Sequence, residues 1–150
     1  MESILTSVKK MLGITEEYKH FDMDIVMHIN SVFMTLNQLG VGPNKGFFIE
    51  DETATWADFL GDPTSLQIVK SYMFLKVRML FDPPASSVVM ECMKQQANEF
   101  EFRLLIAVDN GGVETSTKAV DHVLLKDQSN DSHYKLYVDN SDLHMDKSEG

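Results

Sequence analysis

The sequence predicts a mainly α-helical protein, a small bundle of three to four helices with a β-hairpin or meander extension at its C-terminal end. Through most of the first 108 residues, apolar side chains recur every three or four positions, the spacing of a helix with one buried face. From about residue 120 they alternate, as in a strand with one buried face. The small, polar stretch GGVETSTKA separates the two patterns. We therefore expect a helical body over 1–108, a linker over 109–119 and a β-hairpin tail over 120–150.

Four segments carry the helical spacing, and we predict helices over residues 3–12, 22–39, 65–81 and 86–108. Glycine follows the first two, where a helix end favours a residue that tolerates positive φ. Asp22 is expected to cap the second by accepting bonds from free backbone N–H groups. The prolines of DPP stop the third, and DNGG ends the last. The third helix is apolar on more than one face, which predicts a central position.

The apolar positions of the last helix and of the long connection also predict specific placements. The main face of the last helix is expected to contain Val89, Met93, Phe100 and Leu104. In the long connection over 40–63, GFFIE could pair as a short strand and TWADFLG could form one helical turn. Trp56 in that turn is either an anchor over the bundle or an interface residue, and the anchor is favoured. The ten methionines are interpreted as adaptable core filler.

Composition limits the function. The formal net charge is −10, which argues against coating nucleic acid, although DNA could slide past such a surface. Cys92 is the single cysteine, so no internal disulfide can form, and it is predicted to be a buried, inert thiol. The first residues have their lysines after the apolar positions, unlike a secretory signal, and no apolar window approaches bilayer length. We expect a soluble protein made in the cytoplasm, with no membrane partner.

No catalytic, cofactor or metal site is predicted. Asp127, Ser129 and Asp131 have the spacing of a calcium loop, but Ser132 and Val138 stand where that loop needs glycine and glutamate. A hairpin turn explains the segment better. The acidic residues of the long connection, Glu50, Asp51, Glu52, Asp58 and Asp62, are interpreted as a solvated loop. The histidines at positions 20, 28, 122, 133 and 144 show no metal-ligand spacing.

Two sets of residues are candidates for contacts with other chains. Lys76, Arg78 and Arg103 lie in the main helices and either pair with Glu99, Glu101 or Asp82, within or between subunits, or contact a partner. In the tail, the hypothesised partner-binding residues are Tyr134, Leu136, Tyr137, Val138 and Leu143. A meander of this size buries little surface alone and is marginal without a partner.

Several spaced blocks give the body a family resemblance. The blocks are ILTSVKKMLGI (4–14), WADFLGD (56–62), VKSYMFLKVRMLFDPP (69–84) and EFEFRL (99–104). Together they resemble the head–tail connector, or head-completion adaptor, proteins of tailed bacteriophages. The resemblance covers residues 1 to about 108, and the tail lies outside it.

The resemblance implies a structural protein of the virion neck, assembled in the host cytoplasm, that is not an enzyme and uses no cofactor. It implies that about twelve copies assemble into a closed ring beneath the portal protein. Such a ring would extend the DNA channel, would not bind DNA sequence-specifically, and would give a downstream stopper or tail protein its docking surface.

Two hypotheses of different class follow. In the first, the chain is this ring-forming connector, and its tail docks on a neighbouring subunit or the portal by strand addition, in which main-chain hydrogen bonds join it to another sheet. In the alternative, the chain is a soluble monomeric interaction or regulatory protein that binds a partner through its hairpin.

Overall fold

The computed structural model describes residues 2–61, 63–110, 123–126, 133–139 and 142–148. These contain five helices, α1 (Ile4–Met11), α2 (Asp22–Gln38), α3 (Trp56–Phe59), α4 (Pro63–Phe81) and α5 (Ser87–Asp109), and three strands, β1 (Val123–Lys126), β2 (His133–Asp139) and β3 (Asp142–Ser148). The prediction of a mainly helical protein is confirmed. The linker over 111–119, the turn over 127–132, Asp62 and His122 lie outside the described residues.

The chain divides into two compact units, Met1–Ser116 and Thr117–Gly150. The first contains the helices and one continuous core. In the second, the three strands form an antiparallel meander in the order β1-β2-β3.

Helix α4 is the central element of the body, as its apolar character predicts. It packs against α1, α2 and α5. Val69, Tyr72, Met73 and Val77 along it are fully buried. Because it is covered by three helices, α4 needs apolar residues on more than one face.

Helix α5 packs mainly against α4 and buries Ala97 and Leu104 there. Met93 and Phe100 are partly buried on the same side. The prediction that Val89 belongs to the buried face is wrong, because its side chain is exposed. Helical geometry places Val89 on the same side as Met93 and Phe100, but it lies in the first turn of α5, two turns before Ala97, the first residue that the helix buries.

The connection between α2 and α4 is held by side chains and by an isolated antiparallel bridge, in which Thr55 pairs with Ser3. GFFIE forms no strand, so that possibility is excluded. Instead, the Asn30 amide of α2 donates to the Ile49 carbonyl oxygen (2.9 Å) and accepts from the Ile49 N–H (2.8 Å). One side chain thus supplies both bonds that a neighbouring strand would make.

The single-turn helix α3 confirms the predicted turn. It begins with a capping box, in which Thr55 Oγ1 accepts from the Asp58 N–H and the Asp58 carboxylate accepts from the Thr55 N–H. The hydrogen bonds from Thr55 hold the pKa of Asp58 below its ordinary value. Trp56 is buried, and its Nε1 donates to Ser7 Oγ of α1 at 2.8 Å. Its role as an anchor over the bundle is confirmed.

A buried lysine joins α1 to α2. Lys9 is 2% exposed, and its ammonium lies 2.6 Å from Asp22 Oδ1. It also donates to the backbone oxygens of Glu16 (3.0 Å) and Tyr18 (2.9 Å). The predicted capping role of Asp22 is therefore wrong: Phe21 occupies the N-cap position, and the Asp22 carboxylate pairs with Lys9 instead.

We expect Lys9→Met to lower the free energy of unfolding by about 3 kcal/mol, because it leaves a largely buried carboxylate and two carbonyls without their donor. Urea denaturation followed by helical circular dichroism measures this. The matched control is Lys10→Met, which removes the same charge from the adjacent, exposed position. Equal losses for the two variants would contradict the assignment.

Candidate interaction surfaces

The three basic residues singled out in the main helices have acidic partners within the chain. Arg78 Nη1 lies 2.9 Å from Asp82 Oδ2. Arg103 Nε donates to Glu99 Oε1 at 3.0 Å. Lys76 Nζ is farther from its partner, 4.0 Å from Glu101 Oε1. The expected pairing is therefore present within one subunit, and a contact of these residues with a second chain stays a prediction.

The contact between α4 and α5 contains one strong polar link. The buried Tyr72 of α4 donates its hydroxyl to Glu101 Oε1 of α5 at 2.6 Å. Burial is the main cause that raises the pKa of Tyr72 above its ordinary range, and this hydrogen bond is the next. The hydroxyl therefore remains a donor at neutral pH. The Lys76 ammonium lies 5.9 Å from the centre of the Tyr72 ring. These groups fix the position of α5 on α4.

The sheet register sorts the five tail candidates by face. Directly paired residues share a face of an antiparallel sheet, and Leu136 pairs with Met145 and Val138 with Leu143. Tyr134 lies on the same face, two positions from Leu136. Tyr137 is on the opposite face. Four of the five candidates are therefore brought together and the fifth is separated from them.

Strand β1 extends this shared face. Val123 pairs with Leu136, and Leu125 pairs with Tyr134. This side of the sheet thus contains Val123, Leu125, Tyr134, Leu136, Val138, Leu143 and Met145, together with Lys147, which pairs with Tyr134. Met145 is 62% exposed. The opposite side is more polar: it contains Lys135, His144 and Asp146 in addition to Leu124 and Tyr137. We call the apolar side the sheet face.

A second apolar surface runs along α5, on the side away from α4. It consists of four exposed residues, Val88, Cys92, Phe102 and Ile106. They are separated by four, ten and four positions, which places them on one face of the helix. The exposed fraction is 71% at Val88 and 62% at Phe102. We call these four residues the α5 stripe. Cys92 belongs to it, so the prediction of a buried thiol is wrong.

A third apolar surface lies on α2, opposite its buried side. Met23, Met27 and Met34 share one helical face and are 85%, 58% and 67% exposed. We call them the α2 stripe, and for these methionines the interpretation as core filler is wrong. Next to Met34 is an open groove of about 370 Å³, whose lining includes Phe48 and Lys45.

Sequence reasoning missed both stripes because it assigned α2 and α5 a single apolar face each. The signal was present in the sequence: an apolar set remains on α2 and α5 after the core set is removed. Contiguous exposed apolar patches on protein surfaces mark interaction sites.

Other kinds of site have no support in the described part of the chain. Within it, no three or more His, Cys, Asp and Glu side chains are grouped so that they could bind a metal ion. Among the same residues, no helix has the length and apolarity needed to cross a membrane.

Comparison with known families gives a match. Residues 4–111 match the family model described as phage connector protein. The chain belongs to this family, which confirms the resemblance seen in the sequence. None of the curated proteins and none of the solved structures matches the chain.

The phage connector family is structural and non-enzymatic, so the chain has a structural connector role in a phage particle. It also implies a location in the virion and contact with portal and tail proteins. The matched segment ends close to the last residue of α5, so the three strands lie beyond it.

We expect Tyr72→Phe to lower the free energy of unfolding of the helical unit by about 1–2 kcal/mol, because Glu101 loses a charge-assisted hydrogen bond. Thermal or urea denaturation measures the change. Tyr18→Phe is the matched control, since Tyr18 is about half exposed. A Tyr72→Phe variant as stable as this control would show that the link contributes nothing.

Proposed function

We propose that this protein forms a ring of about twelve copies between the portal and the downstream stopper or tail protein, extending the channel through which DNA passes. The observation that carries the proposal is the connector family match over the whole helical body. The exposed α2 and α5 stripes support it, because a body that assembles with copies of itself needs apolar surface outside its own core.

The size of the body supports a channel formed by several copies. Four main helices packed around one core leave no passage for a DNA duplex within one chain. A ring encloses such a passage by repeating one head-to-tail contact until it closes. That contact requires two different surfaces on each copy.

The charge of the chain is compatible with passing DNA. A formal net charge of −10 repels phosphate groups, so the duplex would not be retained during packaging or ejection. DNA would then move through the ring without sequence-specific binding.

The tail is proposed as the arm that docks on the portal or on a neighbouring subunit. Strand β2 is paired to β1 on one side and β3 on the other, so strand addition would use β1 or β3 as its edge. The sheet face offers another mode, in which Leu136, Val138 and Leu143 pack on an apolar surface of the partner. Both modes stabilise a unit that is marginal alone.

Mixing the purified protein with its portal tests the connector proposal. We expect electron micrographs of rings coaxial with the portal and a stoichiometry, by light scattering, of about one chain per portal subunit or a close number. A chain that stays monomeric and does not bind the portal would instead support a monomeric interaction protein.

Deleting residues 112–150 tests the arm. Because the helices have their own core, we expect the helical signal and its unfolding transition to persist, while association with the portal weakens. Unchanged portal binding by the truncated chain would exclude the docking role of the tail.

Two single substitutions distinguish the docking modes. Leu136→Lys places a charge on the sheet face, and Tyr137→Lys places it on the opposite face of the same strand. Docking through the sheet face predicts that portal binding falls for the first variant and much less for the second. Edge strand addition predicts similar effects for both, since neither changes the β1 or β3 edge.

A further inference from the structure

We propose that the α5 stripe of one copy packs against the α2 stripe of the next copy, and that this contact closes the ring. The inference rests on the proposed ring and names the surfaces that would build it. The committed partner is a second copy of this chain.

The two stripes are separate surfaces on two different helices. Helix α4 packs against both α2 and α5, and each stripe is on the side of its helix that faces away from the core. A copy that uses its α5 stripe for one neighbour therefore keeps its α2 stripe for another. This is the arrangement a head-to-tail contact needs, whereas α5 against α5 would stop at a dimer.

The spacing of the apolar positions is similar on the two helices. Cys92 and Phe102 are ten residues apart, which places them roughly 15 Å apart along α5. Met23 and Met34 are eleven residues apart, or roughly 16 Å along α2. Two contacts can thus form at once, with Met34 near Cys92 and Met23 near Phe102. Methionine is suited to the second contact because its sulfur packs favourably on aromatic rings.

The middle of each stripe is polar, but its main polar groups are bonded within the chain. On α2, Asn30 lies between Met27 and Met34, and its amide is bonded to the backbone of Ile49. On α5, Glu99 accepts from Arg103, while the exposed amide of Gln95, also between Cys92 and Phe102, would bond across the contact. Bringing the helices together therefore need not remove the bonding partners of these groups.

Charges beside the stripes fix their relative direction. Lys45 lines the groove next to Met34, and Glu91 lies one turn from Val88 on α5. At the other ends, Glu50 lies with Met23 at the rim of one hollow, and Arg103 is next to Phe102.

In the proposed direction, Lys45 meets Glu91, and Glu50 meets Arg103. The opposite direction would place Glu50 near Glu91 and Lys45 near Arg103, which is less favourable, although Glu99 offsets part of the charge of Arg103. Arg103, a candidate interface charge from the sequence, would then bind Glu99 within its own copy and face an acidic loop of the neighbour.

Cys92 allows a direct test because it is the only cysteine in the chain. A Met34→Cys variant of the full chain has one thiol on each stripe. We treat it with a short bismaleimide crosslinker, free and bound to the portal, and separate the products on a denaturing gel. We expect a ladder of dimers, trimers and larger products, because each copy is linked to two neighbours.

Two controls locate the contact. The unsubstituted chain has only Cys92 and should give no ladder. Met11→Cys introduces a thiol at another exposed methionine, on α1 and outside both stripes, and should give at most a weak ladder. A Cys92-linked dimer of the unsubstituted chain would overturn the inference, since it would mean that α5 meets α5.

The outcomes separate this inference from the proposed function. Rings seen by microscopy without a Met34→Cys ladder would overturn the stripe contact and leave the connector proposal intact. A chain that forms no ring with or without the portal would overturn both.

Charge reversal tests the direction of packing. Lys45→Glu and Glu91→Lys should each weaken assembly about tenfold, and the double variant should recover most of that loss. Lys10→Glu, on the exposed side of α1, is the control for a general charge effect. Single variants that weaken assembly without recovery in the double variant would overturn the proposed direction.

Discussion

The buried ammonium of Lys9 is the interaction on which the helical body depends. It donates to two backbone carbonyls of the segment between α1 and α2, and it forms an ion pair with the carboxylate of Asp22 at the start of α2. A charge buried without these acceptors would be strongly unfavourable, so the lysine, the segment and the start of α2 are stable only together. α2 in turn carries Asn30, which holds the long connection, and that connection places Trp56 against Ser7 of α1.

Because of this set of contacts, the helices of the body are held in two different ways. The α1, α2 and α3 region is held by polar links and by aromatic packing, such as that of Phe33 against Phe59 at 4.7 Å between ring centres. α5, in contrast, is attached mainly through α4, by apolar contacts and the Tyr72 hydroxyl. A helix supported on one side exposes the other, and on α5 that other side has apolar residues at both ends of the stripe. The body therefore has a complete core of its own and also exposes apolar residues that a neighbouring chain could cover.

An acidic chain with apolar stripes is suited to the neck of a phage particle. In the proposed ring, net negative charge would limit the retention of DNA, and the apolar stripes would favour contact between neighbouring copies. The sheet adds a separate surface beyond the family segment. Its apolar residues come from all three strands, so the surface exists only when the meander is formed.

The sequence by itself determined the helices, their approximate ends, the central place of α4, the strand-forming tail and the family, because periodicity and helix-ending residues are local signals. It did not determine the partner of Asp22, which local reasoning assigned to a helix end, or the exposure of Cys92 and of the α2 methionines. Those depend on which side of a helix another helix covers. A spacing of three and four residues defines a face of a helix, but only the packed structure decides whether that face meets the core or the solvent.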